Sequence, residues 1–208
     1  MSKTLTRLYD DYADAETAVR DLEVLGIPHG DISIVANNAH GRHAADHGGV
    51  NDEGDVSRGT STGALLGGAG GLLAGLGLLA IPGLGPIVAA GWLAATAAGA
   101  GIGAAGGAAT GTIVGALKNA GHTDEEANVY SEGVRRGGTL VSAKVPDADV
   151  ARAEAVLDRS RTVDVAERGA TYRRAGWSGF DANAPAYTVE EVDRERAEYR
   201  TTTAAERY

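Results

Sequence analysis

The chain has no cysteine, one phenylalanine, two tryptophans and five prolines among its 208 residues. Without cysteine there can be no disulfide, no thiolate nucleophile and no cysteine-based zinc site, and the composition suits a reducing compartment. With Phe and Trp this scarce, an ordinary aromatic core cannot be the main source of stability. No segment is basic either. The formal charge is -9, divided as 5 basic against 11 acidic residues through Arg58, 8 against 10 from Lys118 to Arg168, and 6 against 7 beyond. Nucleic acid is therefore an unlikely partner, because phosphate binding begins with a cationic patch. The opening MSKTLTRLYDDY contains no apolar h-region, so no cleavable signal peptide is expected, and cytoplasmic synthesis is the default expectation.

What the chain has in abundance is glycine, 31 residues of it, and the glycines are not scattered. Patterning divides the sequence into five parts: a first half of an α/β domain (1–36), a polar linker (37–58), a Gly/Ala-rich helical hairpin (59–117), a second half of the α/β domain (118–172) and a C-terminal tail that is partly helical (173–208). In the first part Leu5–Tyr9 reads as a strand. Ala13–Leu25 reads as a helix with Ala18, Val19, Leu22 and Leu25 on one face, Asp14 as its N-cap and Gly26 just past its end. Asp31–Ala36 reads as a second strand. In the fourth part Thr123 and Glu126 have the spacing of a capping box, opening a helix that ends near Arg135 at the pair Gly137-Gly138. Thr139–Val145 then reads as a strand, Ala148–Arg159 as a helix and Thr162–Glu167 as a last strand. Two βαβ halves predict an α+β fold, a ferredoxin-like sandwich with a four-stranded antiparallel sheet and helices on one face. The charged run TVEEVDRERAEYR in the tail predicts one solvent-exposed helix.

The middle part carries the strongest signal. Between Arg58 and Lys118 there is no charged residue and no histidine. Gly63, Gly67, Gly71 and Gly75 recur at every fourth position, and so do Gly91, Ala95, Gly99, Gly103, Gly107, Gly111 and Gly115. On helices, residues four apart share a face, so each arm would present a flat groove that another helix can approach closely. Glycine costs a helix about 1 kcal/mol relative to alanine, so such a groove must be filled. Pro82, Gly83, Gly85 and Pro86 are placed to break the first helix and turn the chain back. Ser61–Ala80 matches the roughly 20 apolar residues that cross a bilayer. Two occupants of the groove stay open: a membrane reached from its inner, cytoplasmic face, or other copies of the chain in a soluble homo-oligomeric scaffold.

Two stretches, Ala80–Gly91 (AIPGLGPIVAAG) and Thr123–Val145 (TDEEANVYSEGVRRGGTLVSAKV), including Tyr130, Glu132, Gly133, Arg135 and Gly138, resemble the heat-induced or general stress protein family typified by YflT. The resemblance runs from about Leu5 to Tyr172. It implies a split α/β domain with a glycine-zipper hairpin and a non-catalytic role in bacterial stress responses. It supplies no catalytic residues. The histidine-bearing loop, His122-Thr123 and the C-terminal extension depart from the family pattern.

Other motifs carry little chemistry. His40, His43 and His47, with Asp46 and Asp52, have metal-ligand types, but in a Gly-rich loop without the rigid surroundings a metal site needs, so no metal or cofactor is expected. Gly59-Thr-Ser61-Thr-Gly63 has the form of a nucleophile elbow, yet a polar linker precedes it where a buried strand is required. Gly101-Ile-Gly103-Ala-Ala-Gly106 has the form of a dinucleotide-binding turn, again with no strand before it. RRGGTLVSAKV lacks the stacking aromatics of an RNA-recognition motif. The expectation is a protein that is not an enzyme, has no small-molecule substrate, and has itself and, on the membrane reading, a lipid bilayer as partners.

Overall fold

The computed structural model describes residues 2–41, 76–81, 83–96 and 113–205. Its centre is an antiparallel sheet of five strands, β1 (Ser2–Tyr9), β2 (Ile32–Asn37), β3 (Gly77–Ile81), β4 (Gly85–Gly91) and β5 (Thr139–Pro146), in the order β1-β5-β2-β4-β3. Among the described residues the helices are α1 (Tyr12–Val24), α2 (Ile113–Asn119), α3 (Asp124–Arg135), α4 (Val150–Leu157), α5 (Val165–Arg174) and α6 (Val189–Ala205), and residues 92–96 are helical as well. The class is α+β.

Local signals explain most of these elements. Helix α1 ends where Gly26 adopts φ +93, Gly26 N–H returns to Glu23 O (3.0 Å) and Ile27 N–H to Leu22 O (3.1 Å), the pairing that lets glycine close a helix. The N-cap position is Asp11, not Asp14 as expected, and its side chain makes no capping hydrogen bond. At α3 the capping box forms as the spacing predicts: Thr123 Oγ1 accepts from Glu126 N–H, and the Glu126 carboxylate accepts from Thr123 N–H.

Period-2 alternation sorts β1 and β5 onto two faces. Leu5, Tyr9, Val141, Ala143 and Val145 pack with α1 and α4, while Leu8 and Leu140 point the other way, toward α2 and α3. The sheet is thus covered by helices on both faces, where one covered face was expected. Gly133 of α3 is required by this second layer, since a Cβ there would lie 2.4 Å from the Leu8 side chain.

Three expectations are corrected. Residues 77–80 and 86–91, expected inside two helices, belong to strands β3 and β4; β4 pairs with β2 (Ile34↔Ala90) and β3 with β4 (Leu79↔Ile87), so the middle of the uncharged stretch belongs to the domain's own sheet. The last expected strand, Thr162–Glu167, is reduced to a bridge between Thr162 and Tyr9, because Asp164 accepts from Glu167 N–H (2.9 Å) and starts α5. The tail helix α6 is not simply solvated, for its Val192 is fully buried. Among the described residues no helix is long and apolar enough to cross a membrane.

Candidate functional site

Two polar constellations and one bare edge are the features that chemistry could use. The first lies on the helix-α3 side of the sheet. Thr6 and Ser142 are directly opposed on β1 and β5, with their hydroxyls 2.8 Å apart, and Thr6 Oγ1 is also 2.8 Å from His122 Nε2. Tyr130 donates its hydroxyl to Thr6 O (3.0 Å), and its ring meets the His122 ring edge to face at 5.6 Å. Burial lowers the His122 pKa, Arg7 lowers it further and Glu126 partly offsets the effect. A neutral ring accepts at Nε2 from Thr6, which accepts in turn from Ser142, so one assignment satisfies all three groups.

The order hydroxyl, imidazole, carboxylate invites comparison with a nucleophile and its base. The geometry goes against it. Thr6 is 1% and Ser142 0% exposed, both in mid-strand, and His122 Nδ1 is 3.8 Å from Glu126 Oε2, too far for the hydrogen bond that would orient a base. The line fastens the entry of α3 to β1.

The second constellation is a strap formed by the C-terminal segment. Glu132, fully buried on α3, accepts from Arg136 Nε (2.7 Å) and from Arg135 Nη1 (3.3 Å). Arg136 continues to Glu195 on α6 (3.0 Å), and its guanidinium sits 4.4 Å from the centre of the Tyr172 ring. Burial alone would lower the Arg136 pKa, but Glu132 and Glu195 outweigh it and raise it. Arg135 donates to Pro185 O (2.9 Å) and lies 4.8 Å from the Tyr187 ring. Farther along, Arg168 forms a bidentate pair with Asp10 (2.9 and 2.8 Å) and stacks 3.7 Å from the Tyr199 ring. Val192 seats on Gly137, where a Cβ would come within 2.6 Å of it. The strap also crosses the β3–β4 turn: a Cβ at Gly83 would lie 2.7 Å from Ala182 Cα, and one at Gly85 2.6 Å from Ala186 Cβ.

The glycines and prolines singled out in the sequence therefore fall into two groups. Gly63, Gly67, Gly71, Gly75, Gly99, Gly103, Gly107, Gly111 and Pro82 lie outside the described residues. Of the others, Gly83, Gly85, Pro86 and Gly91 are placed differently from the expectation, while Gly115 lies in a helix as expected. Gly83 (φ +77) forms a strand turn in which Leu84 N–H returns to Ile81 O (3.0 Å), and Gly85 (φ +80) opens β4. Pro86, expected in the first turn of a helix, is the second residue of β4. Gly91 (φ +86) ends β4 so close to β2 that a Cβ would fall 2.0 Å from Ile32 O. Gly115 is in the short helix α2.

Of the histidine loop only His40 is described, with Nε2 at 3.0 Å from Asp193 on the strap; His43, His47, Asp46 and Asp52 lie outside. Among the described residues no three metal-ligating side chains gather.

The third feature is the outer edge of β3. It terminates the sheet, contains neither charge nor proline, and carries Leu78 at 60% exposure, one of two large apolar side chains so exposed among the described residues. Sequence reading missed both the edge and the strap. The signal for the edge was present as Pro-Gly-Leu-Gly between two short apolar runs, which marks a strand turn as well as a helix break. Compared with known proteins, the chain matches no family model, no curated protein and no solved structure.

Proposed function

We propose that this chain is a non-catalytic, self-associating protein, a homo-oligomeric scaffold in which the uncharged stretch 59–117 holds copies together. The observation that carries the reading is that the middle of this stretch is the outermost hairpin of the sheet, so an uncharged strand pair sits at the rim of an otherwise acidic domain. A chain of net charge -9 repels its own copies, and they approach at least cost where charge is missing. In sequence, residues 99–111 are likewise free of charge. The buried hydroxyls of Thr6 and Ser142 support the non-catalytic part.

Membrane association has less to draw on. Among the described residues no helix is long and apolar enough to cross the roughly 30 Å hydrocarbon core of a bilayer. The resemblance to general stress proteins gives the proposal its setting, a bacterial cytoplasm under stress. We also read the domain as a variant of the ferredoxin-like sandwich. Support comes from β1–α1–β2 with β5 between the two parallel strands, the hairpin β4–β3 being added beyond β2.

Light scattering without detergent, run beside flotation with liposomes, tests the reading. A mass above the 21.1 kDa monomer that rises with concentration, in protein that does not float, is expected. A 21.1 kDa monomer at every concentration, or co-flotation, would overturn it.

A further inference from the structure

An edge strand presents a row of backbone N–H and C=O groups that pair with another strand unless something prevents it, and proteins ordinarily prevent it with charge, proline, a bulge or a cover. At the β1 side of this sheet the prevention is visible. β1 carries Lys3 and Arg7, paired with Glu154 (3.1 Å) and Asp158 (2.7 Å), and its end is taken by Val163, whose N–H donates to Leu8 O (2.9 Å). At β3 the sequence is Gly-Leu-Leu-Ala-Ile, and none of those devices is found in the strand.

From this contrast we propose that two copies of the chain pair along β3, antiparallel and about a two-fold axis, so that their five-stranded sheets join into one of ten strands. This rests on the self-association proposed above and names its contact surface. An antiparallel pair formed by one strand with itself is isologous, so each copy supplies the same donors and acceptors, and no charge complementarity is required. The side chains fit the same symmetry. Leu78 and Ala80 share one face of β3 and Leu79 takes the other. An axis through Leu79 sets Leu78 of each copy against Ala80 of the other, large against small. The electrostatic argument selects a second copy over a charged partner: this edge lies within an uninterrupted uncharged stretch, and the rest of the chain is acidic. A five-residue edge belongs to the small, transient class of interface, below about 1,200 Å², so pairing through it alone depends on concentration.

A charge-swap experiment on the full chain tests the proposal. Leu78→Glu and Leu78→Lys are made separately, and their folding is checked by thermal unfolding, which this exposed position should leave unchanged. Association is then followed by sedimentation over a concentration series for wild type, each variant and an equimolar mixture of the two. The expected result is a concentration-dependent dimer for wild type, at least tenfold weaker association for each variant alone, and recovery in the mixture, where the opposite charges are diagonal neighbours on one face of the joined sheet, within reach of long side chains. If each variant associates as wild type does, or if mixing restores nothing, β3 is not the contact, and self-association through another part of the uncharged stretch still stands. If wild type is monomeric throughout, both proposals fall.

Discussion

The two edges of the sheet are opposite solutions to one problem. β1 is guarded: its charged residues are paired, residues 162 and 163 lie against its end, and beyond it Arg168 clamps Asp10 at the start of α5's wall. β3 has no charged residue and shows Leu78 to solvent. The guarded edge also costs the chain a strand, because Thr162–Glu167 leaves the sheet after one bridge and turns into a capped helix. Among the described residues the sheet is guarded at β1 and has no guard at β3, and such a sheet grows in one direction only. That limits edge pairing to two copies and disfavours an indefinite ribbon.

The sharpest way to break this comparison is to undermine the wall on the β1 side. Glu132→Ala leaves Arg135 and Arg136 without their buried carboxylate, and removing one partner of a buried ionic group costs about 3–5 kcal/mol. Urea unfolding should show a loss of that size with self-association retained by the fraction still folded. A loss below about 1 kcal/mol would mean that the strap is ornamental.

A smaller effect is expected where the strap crosses the hairpin turn. Gly83 and Gly85 have positive φ and sit against Ala182 and Ala186, so the double change Gly83→Ala/Gly85→Ala meets both backbone strain and contact. Its cost should be about 2 kcal/mol in total, with faster proteolysis between residues 176 and 188. Unchanged cleavage would detach the strap from the turn.

The polar line makes a pH-dependent contribution to stability through His122, whose pKa burial lowers. Burial holds the folded pKa of His122 below its unfolded value near 6.5. Above that pH the ring is neutral in both states. As the pH falls through it, the unfolded chain takes the proton first and stability declines. The groups facing the ring are Thr6 and Tyr130, with Glu126 and Arg7 acting through their charge. Glu126 has its own pKa lowered, chiefly by the Thr123 backbone hydrogen bond, so it acts in a separate window below pH 4.5. Melting temperature should therefore fall between pH 7.5 and 5.5 in wild type and fall less in His122→Gln. Parallel curves would remove His122 from the account.

The smallest effect belongs to the guarded edge. Lys3 and Glu154 form an exposed pair, so Lys3→Leu should change stability by no more than about 0.5 kcal/mol. It should also leave association unchanged, since residues 162 and 163 still occupy the edge. New oligomers in Lys3→Leu would show that charge alone guards β1.

The legible parts of this fold are those encoded within a few residues. The α1 closure at Gly26, the capping box at Thr123 and Glu126, and β5 all rest on local spacing, and all appear where that spacing puts them. The hairpin was hidden because Ile87–Ala90 are buried on both faces of a central strand, so they read as a continuous apolar run with no alternation. The glycines around them also happened to suit a helical period. At Thr162–Glu167 the alternation was real, but the Asp164 cap outweighed it. The strap could not be read at all, because its contacts join Arg136 to Glu195 and Gly137 to Val192, residues brought together by the fold alone. Thr6 and Ser142 are buried because the sheet is covered on both faces, where helices on one face were expected.

The contrast between the edges is tested most directly by amide hydrogen exchange on the full chain at low and high protein concentration, comparing residues 77–81 with residues 2–9. Exchange in β3 is predicted to slow as concentration rises while exchange in β1 stays the same. Equal behaviour of the two edges, or β3 protection that does not depend on concentration, would contradict the claim that one edge of this sheet is closed and the other is kept open for a second copy.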